Sequence, residues 1–238
     1  CDVINVISKD QRFLNGKELL ILKGGKYYIN GPRLHEFLHD INVNVLSNYD
    51  VMTVGETVMS NIEDIKKLTD PKRKELSMVF NFDHTSVDNY LGVKWLIRKF
   101  SLPRFKKILG FYQTNLEGCS WNSLFFENHD QRRSIGRFNT DEGTYYKESA
   151  KMLATSIYCL QGTPFIYQGQ EIGMTNVHYD SIDQYEDVET HNIYNLMRKL
   201  HLPKSYIKKS IANGSRDNAR TPMQWDDSEF GGFSTTKP

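Results

Sequence analysis

Trp121-Asn122-Ser123-Leu124-Phe125-Phe126-Glu127-Asn128-His129-Asp130-Gln131-Arg132-Arg133 decides how the rest of the chain is read. Leu124-Phe125-Phe126 is a short apolar run of the buried-strand kind. It ends abruptly in acid, amide, imidazole and guanidinium groups. A buried strand that delivers polar groups at its C-terminal end is how α/β enzymes build a site. Taken alone, the ending reads equally well as a charged surface loop. Two earlier strand ends carry carboxylates of the same kind, Asp2 and Glu56, and together the three favour a site.

Asp2-Val3-Ile4-Asn5-Val6-Ile7 is apolar and β-branched and is expected to be the end of a strand. A loop rich in Lys and Gly runs on through Gly24-Gly25-Lys26. Pro32 opens a helix whose buried face is expected at Leu34, Phe37, Leu38, Ile41 and Val45. Val51-Met52-Thr53-Val54 predicts a short strand ending at Gly55-Glu56, and Leu76 to Phe82 another ending at Asp83-His84. Pro103 to Gln113 reads as a helix with a basic face. Tyr145 to Leu160 is the clearest helix, with Ala150, Leu153, Ala154, Ile157 and Leu160 on one side. Gly162 stops it and Pro164 prevents a restart. Phe165-Ile166-Tyr167 predicts a strand, and one or two helices and a polar loop, Ser215 to Thr221, follow Tyr185. Strands alternating with amphipathic helices predict an α/β fold with a parallel sheet. Polar residues at strand C-terminal ends favour part of a (β/α)8 barrel, with Asp2, Glu56 and Asp130 on one face. A doubly wound open sheet is the competitor, but Gly24-Gly25 lacks the strand and helix of a phosphate turn.

The chain has 238 residues, 39% apolar and 25% charged, with a formal net charge of +1. That balance gives no reason to expect nucleic acid or an anionic membrane as partner. No apolar stretch is long enough to span a bilayer, and no signal peptide is seen. Thirteen Tyr, thirteen Phe and three Trp suit a flat, hydroxyl-rich ligand, although a large core gives the same count. Cys1, Cys119 and Cys159 stand in no ligand spacing, so a reducing, cytoplasmic setting is expected, with no metal site and no cofactor. The sequence opens in mid-element and stops without a natural terminus, so a fragment is expected.

Three strand-end carboxylates suit glycoside hydrolysis. One acts as nucleophile and one, protonated, serves the leaving oxygen; in the retaining version they sit roughly 5 Å apart. At this point the chain resembles glycoside hydrolase family 13, the α-amylase family, within the oligo-1,6-glucosidase, dextran glucosidase and trehalose-6-phosphate hydrolase group. Asp2-Val3-Ile4-Asn5, Thr53-Val54-Gly55-Glu56 and Glu127-Asn128-His129-Asp130-Gln131 match the motifs of strands four, five and seven. Gly162 to Asn176 matches strand eight and its loop, and Arg216 to Trp225 is a segment typical of these glucosidases. The resemblance covers essentially the whole chain.

The resemblance implies a partial (β/α)8 barrel running roughly from strand four to the region after strand eight. The first strands, an inserted small domain and a C-terminal β-sandwich would lie outside residues 1–238. It implies Asp2 as nucleophile, Glu56 as acid/base, Asp130 as transition-state carboxylate and His129 as a sugar ligand. Arg216 would grip the non-reducing-end glucose. Arg133 would orient Asp2 or line the neighbouring subsite, or else be a salt-bridged rim residue. Val3 would track α-1,6 linkage, or be no more than a strand residue. The implied substrate is an isomalto-oligosaccharide, with trehalose-6-phosphate or an α-1,4 glucoside as alternatives. Ser8 to Phe13 and Gly31 to Leu38 have the flavour of trehalose-6-phosphate hydrolases. The full-length protein would be a monomer, and residues 1–238 alone catalytically silent with only binding capacity. Relatives read Gln-Pro-Arg after the catalytic Asp, where this chain reads Gln131-Arg132-Arg133.

Overall fold

A parallel strand pair carries the first part of the site in the computed structural model of the chain, which describes residues 2–12, 14–16, 23–139 and 142–236. In chain order the elements are α1 (Leu34–Asn44), β1 (Val54–Glu56), α2 (Ile62–Thr69), β2 (Met78–Phe80), β3 (Asn89–Tyr90), β4 (Val93–Ile97), α3 (Leu102–Leu116), β5 (Ser123–Leu124), α4 (Ser134–Phe138), α5 (Tyr146–Tyr158), β6 (Thr163–Pro164), α6 (Val188–Lys199) and α7 (Lys204–Gly214). They fall into two units. One comprises Cys1–His84, Phe105–Leu124 and Gln161–Thr163; the other Thr85–Arg104, Phe125–Leu160 and Pro164–Pro238. Cys1, Phe13, Pro238 and much of the expected Lys- and Gly-rich loop lie outside the described residues.

In the first unit β1 and β2 are parallel, with Gly55 opposite Val79 and Glu56 opposite Phe80. Parallel neighbours require a crossover, and α2 supplies it. Its start is fixed by a capping box: the Asn61 side chain accepts from the N–H groups of Glu63 and Asp64, and Asp64 answers to the Asn61 N–H. Ile65 and Leu68 then bury into a core with Ile4, Leu34, Leu38, Leu76, Val79, Tyr112 and Leu116. β5 lies beside β2, where the Ser123 hydroxyl donates to the Val79 carbonyl at 2.6 Å. β6 joins β5, with the Thr163 N–H on the Asn122 carbonyl at 2.9 Å. Gly162 precedes that contact at φ 146°, and a Cβ there would lie 2.5 Å from the Asn122 oxygen, so only glycine fits.

Several expectations need correction. Asp2 to Ile7 is not strand: a short 3-10 helix, Ile4–Val6, follows directly on Val3. The expected strand Phe165–Tyr167 is instead Thr163–Pro164. Proline has no N–H to donate, so the ladder cannot continue through it. Leu76 to Phe82 narrows to the three residues that find a partner in β1. On α1 only Leu34 and Leu38 are buried, while Ile41 and Val45 are exposed. The apolar face is longer than the surface it packs on.

The second unit holds an element the sequence did not announce, the antiparallel hairpin β3–β4. Its loop is Leu91-Gly92, with φ 54° and 71°. Trp95 of β4 packs with Tyr185, Met197, Ile207 and Ile211, and α7 crosses it closely enough that Gly214 has no room for a Cβ against the indole. The Ser210 hydroxyl secures the contact on the Trp95 carbonyl at 2.7 Å. Phe126 meets Phe138 of α4 edge to face at 5.9 Å. The strands of the two units form three two-stranded pairs; no closed ring of strands exists among the described residues.

Candidate active site

In the first unit Asp2 is exposed and Glu56 half-buried. The backbone N–H of Val3 donates to Glu56 Oε2 at 3.4 Å, so the residue following one carboxylate touches the other. Val3 sits at φ 40°, ψ 49°, a left-handed conformation that a β-branched residue rarely adopts. Asn5 holds the two segments together. It is fully buried, donates to the Val58 carbonyl at 2.7 Å and accepts from the Val58 N–H at 3.0 Å. Ile4 presses on Gly55: a Cβ there would lie 2.8 Å from Ile4 and 2.7 Å from Leu76. The turn after Asp2 and the strand end at Glu56 are thus locked by a buried amide and a glycine. The available sequence signal for Asn5 is an amide three residues after the expected strand-end acid Asp2.

In the second unit Asp130 is half-buried among basic groups. Arg220 Nη2 lies 2.7 Å from its Oδ1, Arg216 Nη1 3.5 Å from the same oxygen, and His129 Nε2 3.6 Å from Oδ2. Arg220 also donates to the His129 carbonyl at 3.0 Å. His129 is largely exposed. Arg216 is held from behind by Asp187, with Nη2 and Nε 2.9 and 3.2 Å from Oδ1. Asp187 sits at the start of α6 and takes the Thr190 hydroxyl at 2.9 Å. Burial pushes its carboxyl up, but the Arg216 guanidinium, the Thr190 hydroxyl and the Lys94 charge outweigh it and hold it below the ordinary carboxylate value. Asp187 and Arg220 were not singled out in the sequence, where each is one charge among many.

Arg133 corrects an expectation. It is wholly buried, with Nη1 3.0 Å from Glu127 Oε1 and 2.7 Å from the Gln168 carbonyl, and its guanidinium lies 5.0 Å from the centre of the Tyr167 ring. Glu127 is equally buried and takes the Ser134 N–H at 2.5 Å. The salt bridge is the expected one, but the pair lies in the interior and not at a rim, where it braces the loop. The guanidinium needs a buried anion, and the strand end supplies one six residues earlier. The short strand is therefore followed by two kinds of group, a buried pair at Glu127 and Arg133 and more exposed groups at His129 and Asp130. Among the described residues no group of three or more His, Cys, Asp or Glu is arranged to hold a metal, and no helix is long and apolar enough to cross a membrane.

Known proteins agree with this architecture. The chain is 50% identical over its whole length to an oligo-1,6-glucosidase of Parageobacillus thermoglucosidasius and 47% identical to a trehalose-6-phosphate hydrolase of Bacillus subtilis (strain 168). It spans 43% and 42% of their lengths. Among solved structures it superposes on trehalose-6-phosphate hydrolase of Bacillus licheniformis with a TM-score of 0.91 at 48% identity, covering all of this chain and 42% of that one. The profile of the family described as alpha amylase, catalytic domain, matches residues 1–238. The chain belongs to the alpha-amylase family, through its catalytic domain, whose fold is a (β/α)8 barrel.

Proposed function

We propose that this chain is the part of a retaining α-glucosidase that runs from the end of barrel strand four to the region after strand eight, with β1, β2, β5 and β6 as strands five to eight. The observation that carries the reading is the contact of the Val3 N–H with the Glu56 carboxylate, which makes Asp2 and Glu56 neighbours in one unit. Asp2, ionised, attacks the anomeric carbon. Glu56 gives its proton to the glycosidic oxygen as that bond breaks, and a glycosyl ester on Asp2 results. Glu56, now a carboxylate, takes a proton from water, which attacks the anomeric carbon and breaks its bond to Asp2; glucose leaves, Asp2 is a carboxylate again and Glu56 is again protonated. Asp130 and His129 bind ring hydroxyls and favour the distorted sugar, and Arg216 holds the terminal glucose. Asp187 keeps Arg216 in place.

The substrate is an α-1,6-linked isomalto-oligosaccharide cleaved from its non-reducing end, as Val3 and the 50% identity to an oligo-1,6-glucosidase favour. The second reading is trehalose-6-phosphate, favoured by the 47% identity to a hydrolase of that name. Because the chain spans under half of these relatives and leaves Ile41 and Val45 exposed, residues 1–238 alone are expected not to turn over substrate. The test is to compare isomaltose, maltose and trehalose-6-phosphate as substrates of the full-length enzyme. A specificity constant highest for isomaltose supports the reading; preference for the phosphorylated sugar selects the second; hydrolysis of none refutes both.

A further inference from the structure

The two residues after Asp130 are anchored elsewhere in the second unit. The Arg132 guanidinium is bound on two sides: Nη2 lies 2.5 Å from Asp88 Oδ2, and Nη1 donates to the Asn213 side-chain oxygen. Asp88 is 2% exposed and is also held by Arg137, at 2.6 Å from Nη2 to Oδ1 and 3.1 Å from Nε to Oδ2. Arg137 Nη1 in turn donates to Gln131 Oε1 at 2.8 Å. One buried carboxylate thus fixes both Gln131 and Arg132. Asn213 stands near the C-terminal end of α7, three residues before Arg216. The direct Arg216–Asp130 contact is long, 3.5 Å, and Arg220, though 2.7 Å from Asp130, keeps 44% of its side chain in solvent. Neither sets a distance as firmly as a planar guanidinium clamped at both edges.

We propose that Arg132, anchored on Asp88 and Asn213, is a positioning residue that sets the separation of Asp130 from Arg216. The proposal rests on the glucosidase reading for its kinetic consequence only; its structural consequence stands without it. With methionine at 132 the loop loses its tie to α7, while Asp88 keeps Arg137 and the unit keeps its fold. Asp130 then moves by a fraction of an ångström relative to Arg216. A contact made chiefly in the transition state is weakened, so kcat falls and KM stays nearly constant.

The experiment uses the full-length enzyme and the variants Arg132→Met and Arg132→Lys, each alone and combined with Asp130→Ala. Arg132→Met is expected to lower kcat on isomaltose roughly tenfold, with KM changed by less than about twofold. Arg132→Lys is expected to recover part of the loss. In the Asp130→Ala background the same change at 132 should have almost no further effect, since the group it positions is gone. A purely structural role predicts equal losses in both backgrounds, and that result overturns the proposal. Crystal structures of the wild-type and Arg132→Met enzymes give a second, activity-independent arm. Asp130 displaced from Arg216 supports the brace, and Asp130 unmoved refutes it. An inactive wild-type enzyme would sink the glucosidase reading and leave this arm to decide the brace.

Discussion

Val3 carries more of the account than its size suggests. It follows Asp2, touches Glu56 through its N–H and holds a left-handed backbone that costs of order 1–3 kcal/mol for a side chain of this kind. Val3→Thr keeps the β-branch and hence the strain, exchanging one methyl for a hydroxyl. Threonine at this place is expected to shift the ratio of specificity constants for isomaltose and maltose toward maltose by roughly tenfold or more, the size of one methyl-scale contact in a subsite. An unchanged ratio would mean that Val3 does not set linkage. Asp187 supplies the pH dependence at this scale. Its folded pKa is depressed, so the stability it contributes is present above the ordinary value of 3.8 and is lost as pH falls through its lowered folded value. Asp187→Asn is therefore expected to lower the melting temperature near neutral pH. The gap to wild type should close as the pH is taken below about 3.8, and a gap that widens in acid would contradict the sign.

Among the elements, β1 and β2 were legible as short apolar runs followed by acids, although β1 begins only at Val54, and Val51 and Met52, expected within a buried strand, are exposed. β3–β4 was not. Hairpins announce themselves through Asn-Gly or Asp-Gly, whose left-handed backbone costs little, and here Leu91 occupies the first of the two positive-φ positions. Leu91 is 85% exposed, so the side chain gains no burial to offset that cost. Leu91→Asn is expected to stabilise the protein by about 0.5–1 kcal/mol in denaturant unfolding, and a loss of stability would show that the leucine has a contact of its own. Gly55 gives the opposite case. Its neighbours Ile4 and Leu76 leave no space for a Cβ, so Gly55→Ala is expected to cost roughly 1–3 kcal/mol and to push the Glu56 strand end away from Val3. The exposed Ile41 and Val45 show why helical periodicity overstated the core. It reports which residues share a face, and only packing decides how much of the face is covered.

Over the whole molecule, the order of acid-bearing endings pointed to a parallel α/β architecture, while the roles proposed for Asp2, Glu56, Asp130, His129 and Arg216 came from the family resemblance of the motifs that hold them. Their supports were not readable. Asn5, Asp187 and Asp88 act through partners 53, 29 and 44 to 49 residues away, and no local pattern marks such pairs. Arg133 misled for the same reason, since a buried guanidinium and one facing a ligand have the same local sequence. The central claim is that Asp2 is the nucleophile and Glu56 its acid/base partner. It is tested most directly by treating the full-length enzyme, with Glu56→Gln to slow release, with 5-fluoro-α-glucosyl fluoride, followed by peptide mass spectrometry. One fluoroglucosyl group is expected on the peptide containing Asp2, and none in an Asp2→Asn control. A label on another residue, or a wild-type enzyme that turns over α-glucosides while Asp2 never becomes labelled, would contradict it.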